Sequence, residues 1–196
     1  MDGMIEFDIT HKDNEYFSIR VHLESEDPSD LEEEYLKQVI AESGTEFDYR
    51  IEFEDDKIKF VDPEGDSHTE SVEGLQWGFS YPAPDRVREI PEMVIGACSG
   101  LDLGALGEYW EAERKFGPEV VRSFLEDVSD NLVGLSSSIE REFYGTFESR
   151  EALGRSIYST EDRDLETSID FYDYAEKKFP SQIYDLSCGG IVVFTG

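Results

Sequence analysis

The sequence predicts an α+β fold, elongated and built of three small modules, and three observations predict it. The N-terminal part alternates apolar and polar residues with the period of half-buried strands. The middle carries apolar residues at helical spacing. The last part is mixed again and closes on a hairpin signature, Ser187-Cys188-Gly189-Gly190. Tyr81-Pro82-Ala83-Pro84 marks a boundary, because prolines make poor helix and poor central strand. The expected modules are residues 1–81, acidic and α+β; 82–136, mainly helical; and 137–196, α+β with an aromatic helix and a C-terminal hairpin.

Each element follows from its own pattern. Met4–Thr10 sets Met4, Ile5, Phe7 and Ile9 against Glu6, Asp8 and Thr10, and Tyr16–Leu23 alternates through Phe17, Ile19, Val21 and Leu23. The turn chemistry of Lys12-Asp13-Asn14-Glu15 joins them as a hairpin. Ser29 with Glu32 three residues on is a capping box for a helix whose apolar stripe is Leu31, Tyr35, Leu36, Val39 and Ile40. Ser43-Gly44 stops it. Phe47–Glu54 and Lys57–Val61 form a second hairpin, and Gln76–Tyr81 adds a strand. Asp62-Pro63-Glu64-Gly65-Asp66 reads as a turn, since its glycine falls at the fourth position and not the sixth that a calcium loop needs.

Helices are expected over Arg86–Ala97, broken at Pro91, and over Leu103–Phe116, ending at Gly117. Pro118 opens another, with Val120, Val121, Phe124, Leu125, Val128 and Leu132 as its stripe. Ile139–Phe147 is apolar and aromatic around Gly145. Ser149 caps a short helix with Ala152, Leu153 and Ile157. Ile169–Phe179 reads as an aromatic helix ended by Pro180, and Gln182–Leu186 with Ile191–Phe194 flanks the closing hairpin.

Charge narrows the function. The 196 residues hold 47 Asp and Glu against 17 Lys and Arg, a net of −30. Residues 1–75 carry −18 of it, 76–140 carry −7 and 141–196 carry −5. A chain this acidic repels nucleic acid and anionic lipid, so neither direct nucleic-acid binding nor membrane docking is expected. The 13 % aromatic content argues for a packed fold, because acidic disordered chains are poor in aromatics. No apolar run reaches a membrane span, and Met1–Glu6 has no signal-peptide character. Cys98 and Cys188 read as reduced thiols, and a cytoplasmic location is expected.

Catalytic patterns are sparse. His11, His22 and His68 lack the spacing of a metal-binding helix pair. Cys98-Ser99-Gly100 lacks the first glycine of a nucleophile elbow, and Gly100, Gly104 and Gly107 are not followed by the Lys-Ser/Thr of a phosphate loop. Glu161–Glu166 has carboxylates for a hard cation, but Arg163 stands among them, and a solvated loop is the better reading. No enzyme activity, cofactor or metal is expected.

The acids remain. Glu119, Glu126 and Asp130 fall near one line at about 100° per residue, opposite the apolar stripe and with Asp127 beside them. Asp30, Glu33 and Glu34 avoid the stripe of the first helix, and Asp55 and Asp56 sit in a hairpin turn. Such carboxylates solvate a surface, or they stand in for phosphates. Duplex DNA carries one charge per ~1.7 Å, so a net of −30 corresponds to about 51 Å of duplex.

Ser168-Ile169-Asp170-Phe171-Tyr172-Asp173-Tyr174-Ala175 resembles the C-terminal signature of ArdA-type antirestriction proteins, an I-D-Y-x-x-Y-[AG]-x-x-L/F pattern, with Phe171 at its first tyrosine and Phe179 one residue past its last apolar place. Phe143–Ser149 is similar to the family's Y-x-G-x-[FY]-x-S entry to a short helix. The resemblance is best over residues 140–196. It departs at Glu176-Lys177-Lys178, where the family carries arginine, and the family's N-terminal G-x-W strand is not evident. It implies an elongated homodimeric DNA mimic from a mobile genetic element, which binds the methyltransferase and specificity complex of a type I restriction–modification enzyme. Phe171, Tyr172, Tyr174 and Phe179 are then candidate dimer contacts or part of a second packing face, since one helix cannot turn all four to a small core; the other reading is that they cover the C-terminal hairpin. The alternative is an acidic adaptor or immunity-type binding module whose charge is solvation only.

Overall fold

The computed structural model describes residues 4–24, 32–44, 50–79, 90–160 and 169–195. The Ser29 cap, Asp30, Leu31, the Phe47–Tyr49 start of the second hairpin, the Tyr81–Pro84 break, Arg86–Glu89, the acidic run at 161–166 and Ser168 lie outside these residues. The fold is α+β, with helices alongside three antiparallel three-stranded sheets among the described residues. By backbone contact the chain divides into two compact units, residues 1–110 and 111–196. The expected modules break at 81/82 and 136/137, while this division falls at 110/111, inside a helix.

In the first unit, β1 (Met4–His11) pairs with β2 (Asn14–Glu24) in the register Phe7↔Val21 and Ile9↔Ile19. It also pairs on its other side with β6 (Leu75–Phe79), Ile9↔Trp77, so β1 is the central strand. The period-2 pattern buries Phe7, Ile9, Ile19, Val21, Leu23, Leu75 and Trp77, with Phe7 edge-on to Trp77 at 5.3 Å. Asp8 and Arg20 face each other on the solvent side, and Arg20 Nε lies 3.1 Å from both Asp8 and Glu6. Helix α1 (Glu33–Gly44) packs against β2 and buries Leu36 and Ile40.

The second sheet is β3 (Arg50–Glu54), β4 (Lys57–Val61) and β5 (Ser67–Ser71), with Ile51 and Ile58 buried. Strand β5 was not legible in the sequence: Ser-His-Thr-Glu-Ser offers no apolar alternation. The turn before it sets it in place, with the Asp66 amide donating to Asp62 Oδ1 at 2.8 Å. His11 ties the two sheets. Its buried ring accepts from the Asp13 amide at Nδ1 (3.1 Å), so Nε2 carries the proton that meets the Ser71 carbonyl at 3.0 Å. Helix α2 (Glu92–Gly96) begins directly after Pro91, where the expected break falls.

Helix α3 (Gly104–Phe116) starts where the Gly104 amide donates to Asp102 Oδ1 at 2.7 Å. Gly117 separates it from α4 (Pro118–Asp127), with Pro118 at the first helical position as its fixed φ favours. The stripe expected to run to Leu132 is cut at Asp127. The Ser129 hydroxyl accepts from the Asn131 amide (3.3 Å), and the Asn131 side chain accepts from the Val133 amide (3.0 Å). These local bonds compete with helical ones and turn the chain away.

The second unit continues with α5 (Leu135–Glu142), β7 (Phe143–Phe147), α6 (Arg150–Thr160), α7 (Phe171–Lys178), β8 (Ile183–Asp185) and β9 (Ile191–Phe194). Its sheet has the order β7-β9-β8, and all four residues of β9 are buried. The closing hairpin forms as expected, with Gly189 at φ +97°. Phe124 of α4 meets Phe194 of β9 edge-on at 5.2 Å. Ser149 caps α6 by accepting from the Ala152 amide (3.2 Å), and Asp170 caps α7 by accepting from the amides of Tyr172 and Asp173. Helices α6 and α7 touch backbone to backbone: a Cβ on Gly154 would lie 2.0 Å from the Phe171 carbonyl oxygen.

Candidate functional site

The acids of the first unit gather around α1. Glu33 and Glu34 occupy its first turn, where the exposed amides and the helix dipole favour negative charge. Lys37, one turn on, spans both, with Nζ 2.8 Å from Glu33 Oε1 and 3.3 Å from Glu34 Oε1. The hydrogen bond to Glu33, with a lesser one to Glu34, raises the Lys37 ammonium above its ordinary value against the effect of desolvation. Glu34 stays 84 % exposed even so. Asp55 and Asp56 form the exposed tip of the β3–β4 hairpin, Asp55 in the left-handed region at φ +56°. Fold brings two of these acids to one place: Glu34, Tyr35, Lys37 and Gln38 of α1 share an open cleft with Phe53 and Asp55. Glu33 lies on a second depression with Glu73 and Asp102.

Glu73, Asp102, Tyr35 and Phe53 were not singled out in the sequence. Asp102 carries a cap signal just before α3. Tyr35 reads as part of the buried stripe, yet it directly precedes Leu36, about 100° round the helix, and 37 % of it is exposed. Glu73 and Phe53 give no signal that sequence alone could have ranked.

In the second unit the acids on and after α4 divide. Glu126 and Asp127 are exposed, with Asp127 accepting from the Ser123 hydroxyl at 3.3 Å. Asp130 is exposed but lies beyond the end of α4, so it is not on the helical line drawn for it. Glu119 is half-buried. It accepts from the Ser187 hydroxyl of the closing hairpin and lies 3.5 Å from Arg122. Its carboxylate therefore fastens the hairpin to α4 and faces a groove lined by Phe116, Phe147, Leu186 and Cys188.

The aromatic helix is committed largely to its own unit. Phe171 and Tyr174 meet Tyr158 of α6 edge-on at 5.9 and 5.7 Å. Tyr174 and Phe179 cover the cluster of Leu153, Ile157, Ala175, Ile191 and Val193, and Phe179 lies 4.8 Å from Tyr144. Tyr172 is 45 % exposed and has the Arg150 guanidinium 6.0 Å from its ring. Arg150 pins α6 to α7 and β8, donating to Glu176 at 2.7 Å and through both terminal nitrogens to Asp185 at 2.5 and 3.2 Å. The hydrogen bond from Arg150 holds the Asp185 carboxyl below its ordinary value, and Asp185 in turn raises the guanidinium further. An arginine in place of Glu176 would face Arg150.

The other titratable groups sit in structural settings. Cys98 is buried with its thiol toward the Val94 carbonyl, and desolvation pushes that thiol up; Cys188 is exposed. His22 lies 3.8 Å from Glu6, and His68 meets Glu70. Among the described residues no cluster of three His, Cys, Asp or Glu is placed to hold a metal ion, and no helix is long and apolar enough to cross a membrane. Comparison with protein-family models, with curated proteins and with solved structures gives no match.

Proposed function

We propose that the chain is an acidic DNA mimic that occupies the DNA groove of a type I restriction–modification enzyme and blocks it, without catalysing a reaction. The observation that carries this reading is the charge. With 17 cationic side chains for 47 carboxylates, pairing within the chain leaves a net of −30. Exposed acids at the start of α1, at the β3–β4 tip and at the end of α4 present part of that excess to solvent. The resemblance of residues 140–196 to ArdA-type proteins supports the choice of target and a homodimeric, cytoplasmic inhibitor. Distributed carboxylates meet the lysines and arginines that otherwise hold phosphates. Each exposed pair contributes ~0–1 kcal/mol, and the summed field steers association from a distance.

The test is competition. The protein should displace duplex DNA from a type I methyltransferase complex, and added DNA should displace the protein. Simultaneous binding with unchanged affinities refutes the reading in favour of an adaptor that docks elsewhere. Light scattering at micromolar concentration tests the homodimer, and a monomer mass overturns it.

A further inference from the structure

Resting on the reading that the partner is basic, we propose that the cleft between α1 and the β3–β4 hairpin is a socket for one arginine side chain of that partner. The cleft is open to solvent, about 610 Å³, and takes a long side chain. Its lining combines two rings, Tyr35 and Phe53, with a side-chain amide, Gln38, and three charges, Glu34, Lys37 and Asp55. Lys37 is already engaged by Glu33 and Glu34. Asp55 has no ion-pair partner among the described residues. The lining is thus one negative charge in excess, which matches a single cation. Carboxylate alone does not distinguish lysine from arginine; the rings do. A guanidinium is planar and weakly hydrated, stacks on aromatic faces and forks onto a carboxylate, whereas an ammonium holds its water more tightly.

The probes are hexa-arginine and hexa-lysine peptides, titrated into the full chain at physiological salt, with the aromatic ring signals followed by NMR. Hexa-arginine should shift the Tyr35 and Phe53 ring resonances and bind more tightly than hexa-lysine by at most about fivefold, the upper scale of an exposed cation–π contact, part of which an ammonium also gains. Tyr35→Ala should remove the preference by weakening hexa-arginine binding more than hexa-lysine binding, while Tyr35→Phe, which keeps the ring, should retain it. Asp55→Asn, tolerated in the left-handed turn, should weaken hexa-arginine binding. Equal affinities for the two peptides, unmoved rings, or a preference that survives Tyr35→Ala would overturn the socket. DNA competition is read separately: a protein that displaces DNA but treats both peptides alike remains a mimic without a socket. One that prefers arginine through Tyr35 without displacing DNA has the socket, and the mimic reading fails.

Discussion

Gly154→Ala is a one-methyl change whose outcome the α6–α7 crossing dictates. In an exposed helix the substitution stabilises by up to about 1 kcal/mol, because alanine loses less conformational freedom than glycine. At Gly154 the new Cβ would stand 2.0 Å from the Phe171 carbonyl oxygen and 2.8 Å from its carbon, where ordinary contact begins at 3.4 Å. Both obstacles are backbone, so no rotamer change relieves them and the helices must part. Parting them loosens Tyr158 from Phe171 and Tyr174 and uncovers Leu153 and Ala175. Overpacking of this kind costs about 1–3 kcal/mol, and we predict a net loss of about 2 kcal/mol. Gly96→Ala is the control: nothing lies within 4 Å of its Cβ position, and the same change there should be neutral or stabilising. Urea unfolding followed by circular dichroism, with amide exchange in each unit, reads both; a typical slope makes the Gly154 loss a midpoint drop of about 1 M. A Gly154→Ala chain as stable as its parent would refute the close crossing.

Other outcomes follow from the same contacts. Neutralising Glu126, Asp127 and Asp130 together should weaken binding to a type I methyltransferase about 5- to 150-fold, and each alone at most about fivefold, the losses shrinking as salt rises; Glu119→Gln should matter less electrostatically, since Arg122 and Ser187 already hold that carboxylate. Asp185→Asn should cost at most about 1 kcal/mol at pH 7, because the carboxylate is 74 % exposed. Its folded pKa is depressed, so that contribution is present above the unfolded value and lost as pH falls through the folded one; parent and variant should converge below about pH 4 in urea melts. Iodoacetamide should label exposed Cys188 well before buried, pKa-raised Cys98 in the native protein, with the two rates converging in urea, as peptide mass mapping will show.

The sequence announced most elements through their apolar period: Phe7, Ile9, Ile19 and Val21 for the first hairpin, Leu36 and Ile40 for α1, Val120 to Leu125 for α4. It failed where hydrophobicity does not decide. Strand β5 is polar throughout and owes its place to a turn and to pairing with β4. The end of α4 is set by Ser129 and Asn131 side chains bonding backbone, which an apolar stripe conceals. For the candidate site, residue type alone picked out Glu33, Glu34, Asp55 and Asp56. That Glu34 and Asp55 share a cleft also lined by Tyr35 and Phe53 depends on how a helix packs against a hairpin. The aromatic helix shows the same limit from the other side: spacing shows that its four rings cannot share one face, but not that three of them touch Tyr158, Tyr144 and the β9 cluster.

In two of the three sheets the strand with two neighbours finds one of them far along the chain. Strand β1 waits for β6, and β7 meets β9 only after two helices have intervened. Closing such long loops is entropically slow, so neither sheet is the first thing to form. The β1–β2 hairpin and the α6–α7 pair, both local, are positioned to nucleate, each awaiting a late strand. Timing therefore falls on Leu75–Phe79 and Ile191–Phe194. Changes that slow their docking would prolong an unfinished state with an unpaired edge at β1 or β7, exposing the chain to aggregation before it could engage any partner.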